Sequence, residues 1–249
     1  MFKAFTQNSK TLLSVDFDRF TTCSVICDYC YVGQMEKIYP AYKGKTERND
    51  RWARSDHKDF AQTLNAEYGK ACKSKSKPME RLSKLPVRIY GAGDYIPVHY
   101  KFMKNLGFKF YIISKSLTEP NLITHIDKLT QLDNLTTICL SFDNDNLQNH
   151  EALKHRFKTD KIKFTYTGYA DDFNQLKNRY NFDIFFNISS KKVEQAKSRL
   201  IKEQCPCDSG ALAHAKSCSK CSKCWRSTIT KGKEWNTFNQ KKLGISTIG

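Results

Sequence analysis

Apolar positions recur along this chain in two rhythms, and the alternation between them predicts its architecture. Between residues 11 and 20, Leu13, Val15 and Phe17 alternate with Ser14, Asp16 and Asp18, the period of two expected of a strand with unlike faces. From Pro86 onward, short runs rich in Ile, Phe, Tyr and Thr predict further strands over residues 87–90, 109–114, 136–142, 163–167 and 183–188. Helical spacers fall between them, near 98–106, 121–132, 146–157 and 172–180. An earlier helix is expected over 56–70, where Phe60, Leu64 and Tyr68 recur every four residues. Residues 31–54, rich in Lys, Tyr and Arg, receive no element from the pattern, and 73–77 read as an exposed connection or part of a basic binding rim. Alternating strands and helices argue for an α/β fold. Its parallel sheet would have right-handed crossovers and be either partly closed as a barrel or open and doubly wound.

A chain of 249 residues suits one domain with a small appendage, and the change in composition near residue 200 divides it into 1–200 and 201–249. The amino terminus lacks an apolar run of signal-peptide length, and no later run is long enough to span a bilayer, so a soluble, cytoplasmic protein is expected. Ten cysteines could staple a small secreted domain, but eight of them fall in two tight groups. Cysteines so close in sequence share a metal more readily than they cross-link distant segments, which favours a reducing compartment. Cys72 stands apart from both groups.

The first group, Cys23, Cys27 and Cys30, has the spacing CxxxCxxC, with Tyr29 before the last cysteine. Three thiolates at this spacing can each take one iron of a cubic cluster and leave the fourth iron open to a substrate or cofactor. A zinc site or buried core cysteines are the alternatives. The spacing and its aromatic flank resemble the signature of the radical SAM superfamily, and the likeness covers residues 11–190. It implies a 4Fe-4S cluster on these cysteines, S-adenosylmethionine on its open iron, an electron donor such as flavodoxin or ferredoxin, and a partial (βα)6 barrel.

In that family a glycine-rich turn after the second strand holds the amino group of the methionine moiety. Gly91-Ala92-Gly93-Asp94 stands here as a variant of the usual Gly-Gly-Glu. At later strand ends, Ser114, Lys115, Ser141, Asp143, Asn187 and Ser189 offer groups for ribose hydroxyls and the methionine carboxylate, with Lys115 suited to neutralise the latter. Each could equally cap a helix or a turn. Gly168 and Tyr169 are candidates for approach to adenine.

The tail holds the second group, Cys205, Cys207, Cys218, Cys221 and Cys224, followed by Trp225. Overlapping CxxC spacing chelates one metal centre, with Cys205 or Cys207 as fourth ligand and His214 as a competitor. A second 4Fe-4S cluster or a four-thiolate zinc both fit. Small radical SAM-like proteins encoded by bacteriophages are similar in ending with a cysteine cluster and Trp, which would place this chain in a host cytoplasm.

Charge bears on the partner. The formal net charge is +17, an excess that suits a polyanion, although a lysine-rich surface also serves solubility. Basic residues interleave with aromatics over 39–54 and 216–233, a pattern able to hold phosphates and stack bases, with RNA favoured. The expected function is a radical SAM enzyme modifying nucleic acid. A peptide maturase and a non-enzymatic, zinc-stabilised nucleic-acid-binding protein are the alternatives.

Overall fold

The structure, a computed structural model, describes residues 3–6, 13–23, 39–73, 85–168 and 175–187 apart from 177, together with Cys27, Val32 and Glu36. Among them, seven strands form one sheet in consecutive order: β1 (Phe5–Thr6), β2 (Ser14–Val15), β3 (Val87–Ile89), β4 (Phe110–Ser114), β5 (Leu135–Phe142), β6 (Ile162–Gly168) and β7 (Ile184–Asn187). β1 lies antiparallel to β2, and every later pairing is parallel. A doubly wound sheet reverses its strand order at a switch point. No reversal occurs here, so the sheet advances in a single direction.

Register explains which face is the core. Val15, Ile89, Ile112, Ile138 and Ile162 pair in succession across five strands, a row of β-branched side chains buried among Phe60, Phe102, Leu117 and Leu129. Burying each such side chain is worth about 1.5–3 kcal/mol. The adjoining row, Ser14, Arg88, Tyr111 and Thr137, points to the opposite face, as does the pair Cys139 and Lys163. Apart from half-buried Arg88 these are also buried. The alternation in the sequence therefore separates an apolar core from a polar interior, with water on neither side of these strands.

Among the described residues, six helices have defined bounds: α1 (Arg19–Thr22), α2 (Pro40–Ser55), α3 (His57–Lys73), α4 (Tyr100–Met103), α5 (Ile123–Thr130) and α6 (His150–Arg156). Three expected helices begin as 3-10 turns, Pro97–His99, Pro120–Leu122 and Leu147–Asn149, before becoming α4, α5 and α6. Of the helix expected over 172–180, residues 172–174 and 177 lie outside the described residues, while Gln175 and Leu176 are helical and Asn178 and Arg179 form a turn. α2 is an element the pattern did not assign. It starts at Pro40, whose missing N–H costs nothing in a first turn, and it buries Thr46, Asn49, Asp50 and Ala53. With hydrophilic residues on its inner face, hydrophobic periodicity had nothing to detect.

α3 fastens the amino-terminal edge. Its buried Glu67 accepts hydrogen bonds from the backbone N–H of Lys3, Ala4 (3.1 Å) and Phe5 (3.2 Å), holding β1 against the sheet. No helix among the described residues is long and apolar enough to cross a membrane.

Candidate functional site

The carboxyl ends of the parallel strands gather the polar loops. β2 runs into Asp16, Phe17 and Asp18. Asp18 caps α1, accepting from Phe20 N–H at 3.2 Å and Thr21 Oγ1 at 3.3 Å. That short helix ends at Cys23, whose N–H donates to the Arg19 carbonyl at 3.0 Å. Cys23 and Cys27 are half-buried beside this edge. Cys30 lies outside the described residues, as do Tyr169, Ser189 and the tail's Cys205, Cys207, His214, Cys218, Cys221 and Cys224.

The turn after β3 lies directly on the segment leading to Cys23. A Cβ on Gly91 would collide with Asp16 Oδ1. Gly93 has φ +79°, and a Cβ there would stand 2.6 Å from Thr22 Oγ1. Both positions therefore require glycine. The two segments are joined by hydrogen bonds from Ala92 N–H to Asp16 Oδ1 (3.2 Å) and from Asp94 N–H to Thr22 Oγ1 (3.0 Å).

Asp94 uses its carboxylate to hold the next loop. It accepts from the N–H groups of Tyr95 (2.6 Å), Lys115 (3.0 Å) and Ser116 (2.9 Å). Burial raises its pKa, and hydrogen bonds from Ser114, Ser116 and Tyr95 oppose the rise. Buried Ser114 serves the same turn, its Oγ accepting from Leu117 N–H at 3.1 Å.

Lys115, oriented by Asp94, reaches the centre of the site. Its ammonium lies 2.5 Å from Asp143 Oδ2, 3.4 Å from Asp145 Oδ2 and 3.9 Å from Cys27 Sγ. Burial lowers its pKa, but the Asp143 hydrogen bond and the charges of Cys27, Asp143 and Asp145 outweigh burial and leave it raised. Asn146 fixes Asp143, accepting from its N–H at 2.8 Å and donating to the Ser141 carbonyl at 3.0 Å. Ser141 Oγ lies 3.2 Å from Thr167 Oγ1. Asn187, the last residue of β7, pairs with Gly168 at the same edge.

Thus Cys23, the Gly91–Asp94 turn, Lys115, Asp143 and Cys27 form one connected arrangement. Ser114 and the Asp94 carboxylate support it from within.

A network that runs from the buried Tyr90, His99 and Asp50 to the exposed Thr21 and Arg54 escaped sequence reasoning. Tyr90, with φ 65°, precedes the glycine turn, a backbone region that bulky residues adopt only when their surroundings hold them there. Its hydroxyl lies 3.0 Å from His99 Nδ1. His99 Nε2 and Asp50 Oδ1 stand 3.3 Å apart, short of a full hydrogen bond, and neither has another partner among the described residues. Asp50 Oδ2 accepts from Thr21 Oγ1 (2.9 Å) and Arg54 Nε (2.8 Å), while Arg54 Nη2 donates to the Thr21 carbonyl (2.9 Å). This network ties the glycine turn to the cysteine loop through α2. Burial lowers the His99 pKa against the pull of Asp50, so the imidazole is held neutral. Its members are scattered through the sequence, and none belongs to a motif.

Among the described residues, no three metal-ligating side chains converge. Because Cys30 and the tail fall outside that set, neither proposed ligand group is complete within it.

Fold and site together define the class of protein: an α/β chain with a single-direction, mostly parallel sheet and a thiol-bearing site at its strand ends. The chain belongs to the Gene product 88 family, whose model matches residues 4–227. Neither the curated proteins nor the solved structures contain a significant match to it.

Proposed function

We propose that this protein is a radical SAM enzyme that modifies nucleic acid, RNA in particular. The observation that carries the reading is that the segment from β2 to Cys23 lies against a glycine turn, with Cys27 Sγ 3.9 Å from a lysine held by carboxylates. In this reading the consecutive strand order belongs to a partial (βα)6 barrel, and residues 201–249 form a metal-binding extension.

Cys23, Cys27 and Cys30 would hold a 4Fe-4S cluster. The described part of the site fits such a group: two cysteines are half-buried, and the neighbouring ammonium offsets thiolate charge. When bound, the cluster supplies the electron that cleaves S-adenosylmethionine to methionine and a 5'-deoxyadenosyl radical. Gly91 and Gly93 leave room for backbone to approach the methionine moiety, and Ala92 is held between them by Asp16. Lys115 offers a fixed positive charge to a carboxylate, while Asp143 restricts its position. Ser141 and Asn187 lie at the edge where ribose hydroxyls would be bound. The tail cysteines, Cys205 or Cys207 with Cys218, Cys221 and Cys224, would take a second 4Fe-4S cluster, zinc being the other candidate.

Anaerobic purification followed by iron and sulfide analysis and a reductive cleavage assay tests this. The wild type is expected to be brown and to form 5'-deoxyadenosine under reduction, whereas Cys27→Ala should lose cleavage while retaining iron in the tail. A colourless zinc protein, or cleavage that survives loss of Cys23, Cys27 and Cys30 together, would overturn the reading. Mass spectrometry of RNA from cells expressing the wild type or Cys27→Ala then seeks the modified nucleoside.

A further inference from the structure

Tyr90 enters the glycine turn in a left-handed backbone conformation, φ 65°, in which its Cβ crowds the chain and which a bulky residue keeps only when its surroundings fix it. Its N–H donates to the Val15 carbonyl at 3.0 Å and its carbonyl accepts from Arg88 Nε at 3.2 Å, which secures the end of β3. The ring secures the rest. It is buried, with Phe17 centred 5.3 Å away and the His99 imidazole stacked on it at 5.9 Å.

The hydroxyl of that ring is the first link of a relay. It lies 3.0 Å from His99 Nδ1, while His99 Nε2 faces Asp50 Oδ1 at 3.3 Å. A carboxylate only accepts, so the nitrogen facing it carries the proton of the neutral imidazole, and Nδ1 is left to accept from the Tyr90 hydroxyl. Burial favours the same state, lowering the pKa of His99 and raising that of Tyr90. The second oxygen of Asp50 accepts from Thr21 Oγ1 and Arg54 Nε, and Thr21 is two residues from Cys23. One carboxylate on α2 is thus the common reference for the glycine turn and for the segment that leads to the first cysteine. Apolar side chains at 50, 90 and 99 would pack without the cost of burying polar atoms. What they would lack is direction, because a hydrogen bond holds only over a narrow range of distance and angle.

We propose that Tyr90, His99 and Asp50 are positioning residues of the S-adenosylmethionine site. Through the Tyr90 hydroxyl they hold the Gly91–Asp94 turn at the distance from the cysteine loop at which its backbone meets the methionine amino group. They act through the turn and not on the reacting atoms. This role rests on the radical SAM reading above and specifies what sets the geometry of that site.

The test uses the full chain with its iron and sulfide reconstituted, and follows 5'-deoxyadenosine formation under dithionite across a series of S-adenosylmethionine concentrations. Tyr90→Phe keeps the ring and removes only the hydroxyl, whereas His99→Leu removes both nitrogens. Each should raise KM about fivefold or more and leave kcat within about threefold, because the loss falls on binding shared by ground and transition states. His99→Gln presents one acceptor and one donor, as the neutral imidazole does, and should keep KM within about twofold of the wild type. Leu153→Ala, which opens a cavity under α6 and outside the relay, is the control for lost stability. It should lower the yield of folded protein, and with it the apparent kcat, at an unchanged KM. Iron content is measured for every variant.

If the wild type cleaves S-adenosylmethionine but Tyr90→Phe and His99→Leu keep its KM, as the control does, the relay is structural only. The positioning role then fails while the radical SAM reading stands. If iron falls at an unchanged KM, the relay serves cluster assembly and not the turn, which also overturns the role. If His99→Gln raises KM as much as His99→Leu, packing of the imidazole and not its hydrogen bonds sets the turn, and the relay is overturned. If the wild type neither binds nor cleaves S-adenosylmethionine, role and reading fall together.

Discussion

α2 and α3 are consecutive helices of 16 and 17 residues, joined at Asp56, yet they are attached to the molecule by different forces. α3 turns Phe60, Ala61, Leu64 and Ala71 into the core, with Glu67 as its one buried charge. α2 turns in Thr46, Asn49 and Asp50, with Ala53 as its one buried apolar residue. The first is held by area removed from water, which is insensitive to direction. The second is held by hydrogen bonds that hold only at particular distances and angles. Directional attachment suits a helix whose task is to register the Thr21 loop, the Asp16 loop and β1 against one another.

The largest test of this contrast is Phe60→Ala. The ring is fully buried and lies 5.2 Å from Phe102, 5.4 Å from Trp52 and 6.0 Å from Phe17, so urea unfolding should show a loss of about 3–5 kcal/mol. A loss below about 1 kcal/mol would mean that α3 is not anchored by its apolar side.

Asn49→Ala should act differently. Asn49 Nδ2 donates to the carbonyls of Ala4 and Asp16, each at 3.0 Å. Leaving these acceptors unpaired should cost about 1–3 kcal/mol. Amide hydrogen exchange should quicken at Phe5 and Ala92, around the two strapped segments. Exchange that is uniform across the sheet would show that α2 is merely another packing helix.

The finest test is pH. Burial holds the His99 pKa below its ordinary 6.5, so below that value the unfolded chain binds a proton that the folded chain refuses. Stability should therefore decline as pH falls through the window beneath 6.5. For Asp50, burial works to raise the pKa, but the nearby His99 imidazole and the hydrogen bonds from Arg54 and Thr21 prevail and leave it below 3.8. Its contribution is present above that value and is lost as pH falls below it. Melting temperatures of the wild type and His99→Gln should diverge in the upper window, with the variant losing less on acidification. Parallel curves would remove His99 from the account.

The same contrast explains what the sequence disclosed. Strands β2 to β7 and α3 were legible because each carries apolar residues at its own period. The end of β3, the starts of β4, β5 and β7 and both ends of β6 moved by a residue, since register with neighbours decides where pairing stops. The strand-end candidates Gly91, Lys115 and Asp143 were legible because a parallel sheet directs such loops to one edge. α2, Asp50 and His99 were not. Their interactions join residues far apart in the chain, and a buried Asn or Asp looks the same in sequence as a solvated one. Asp94 illustrates the intermediate case: its position was foreseen, but its carboxylate turns toward the Lys115 and Ser116 amides.

The fit of Gly91 and Gly93 against Asp16 and Thr22 also limits how these loops can evolve. No side chain can be added at 91 while Asp16 keeps its place, and none at 93 without displacing Thr22. The two loops are therefore inherited as a matched pair. A library randomised at position 91 alone should return glycine, whereas one randomised at 14, 16 and 91 together should admit alanine at 91 only beside a shortened residue at 16.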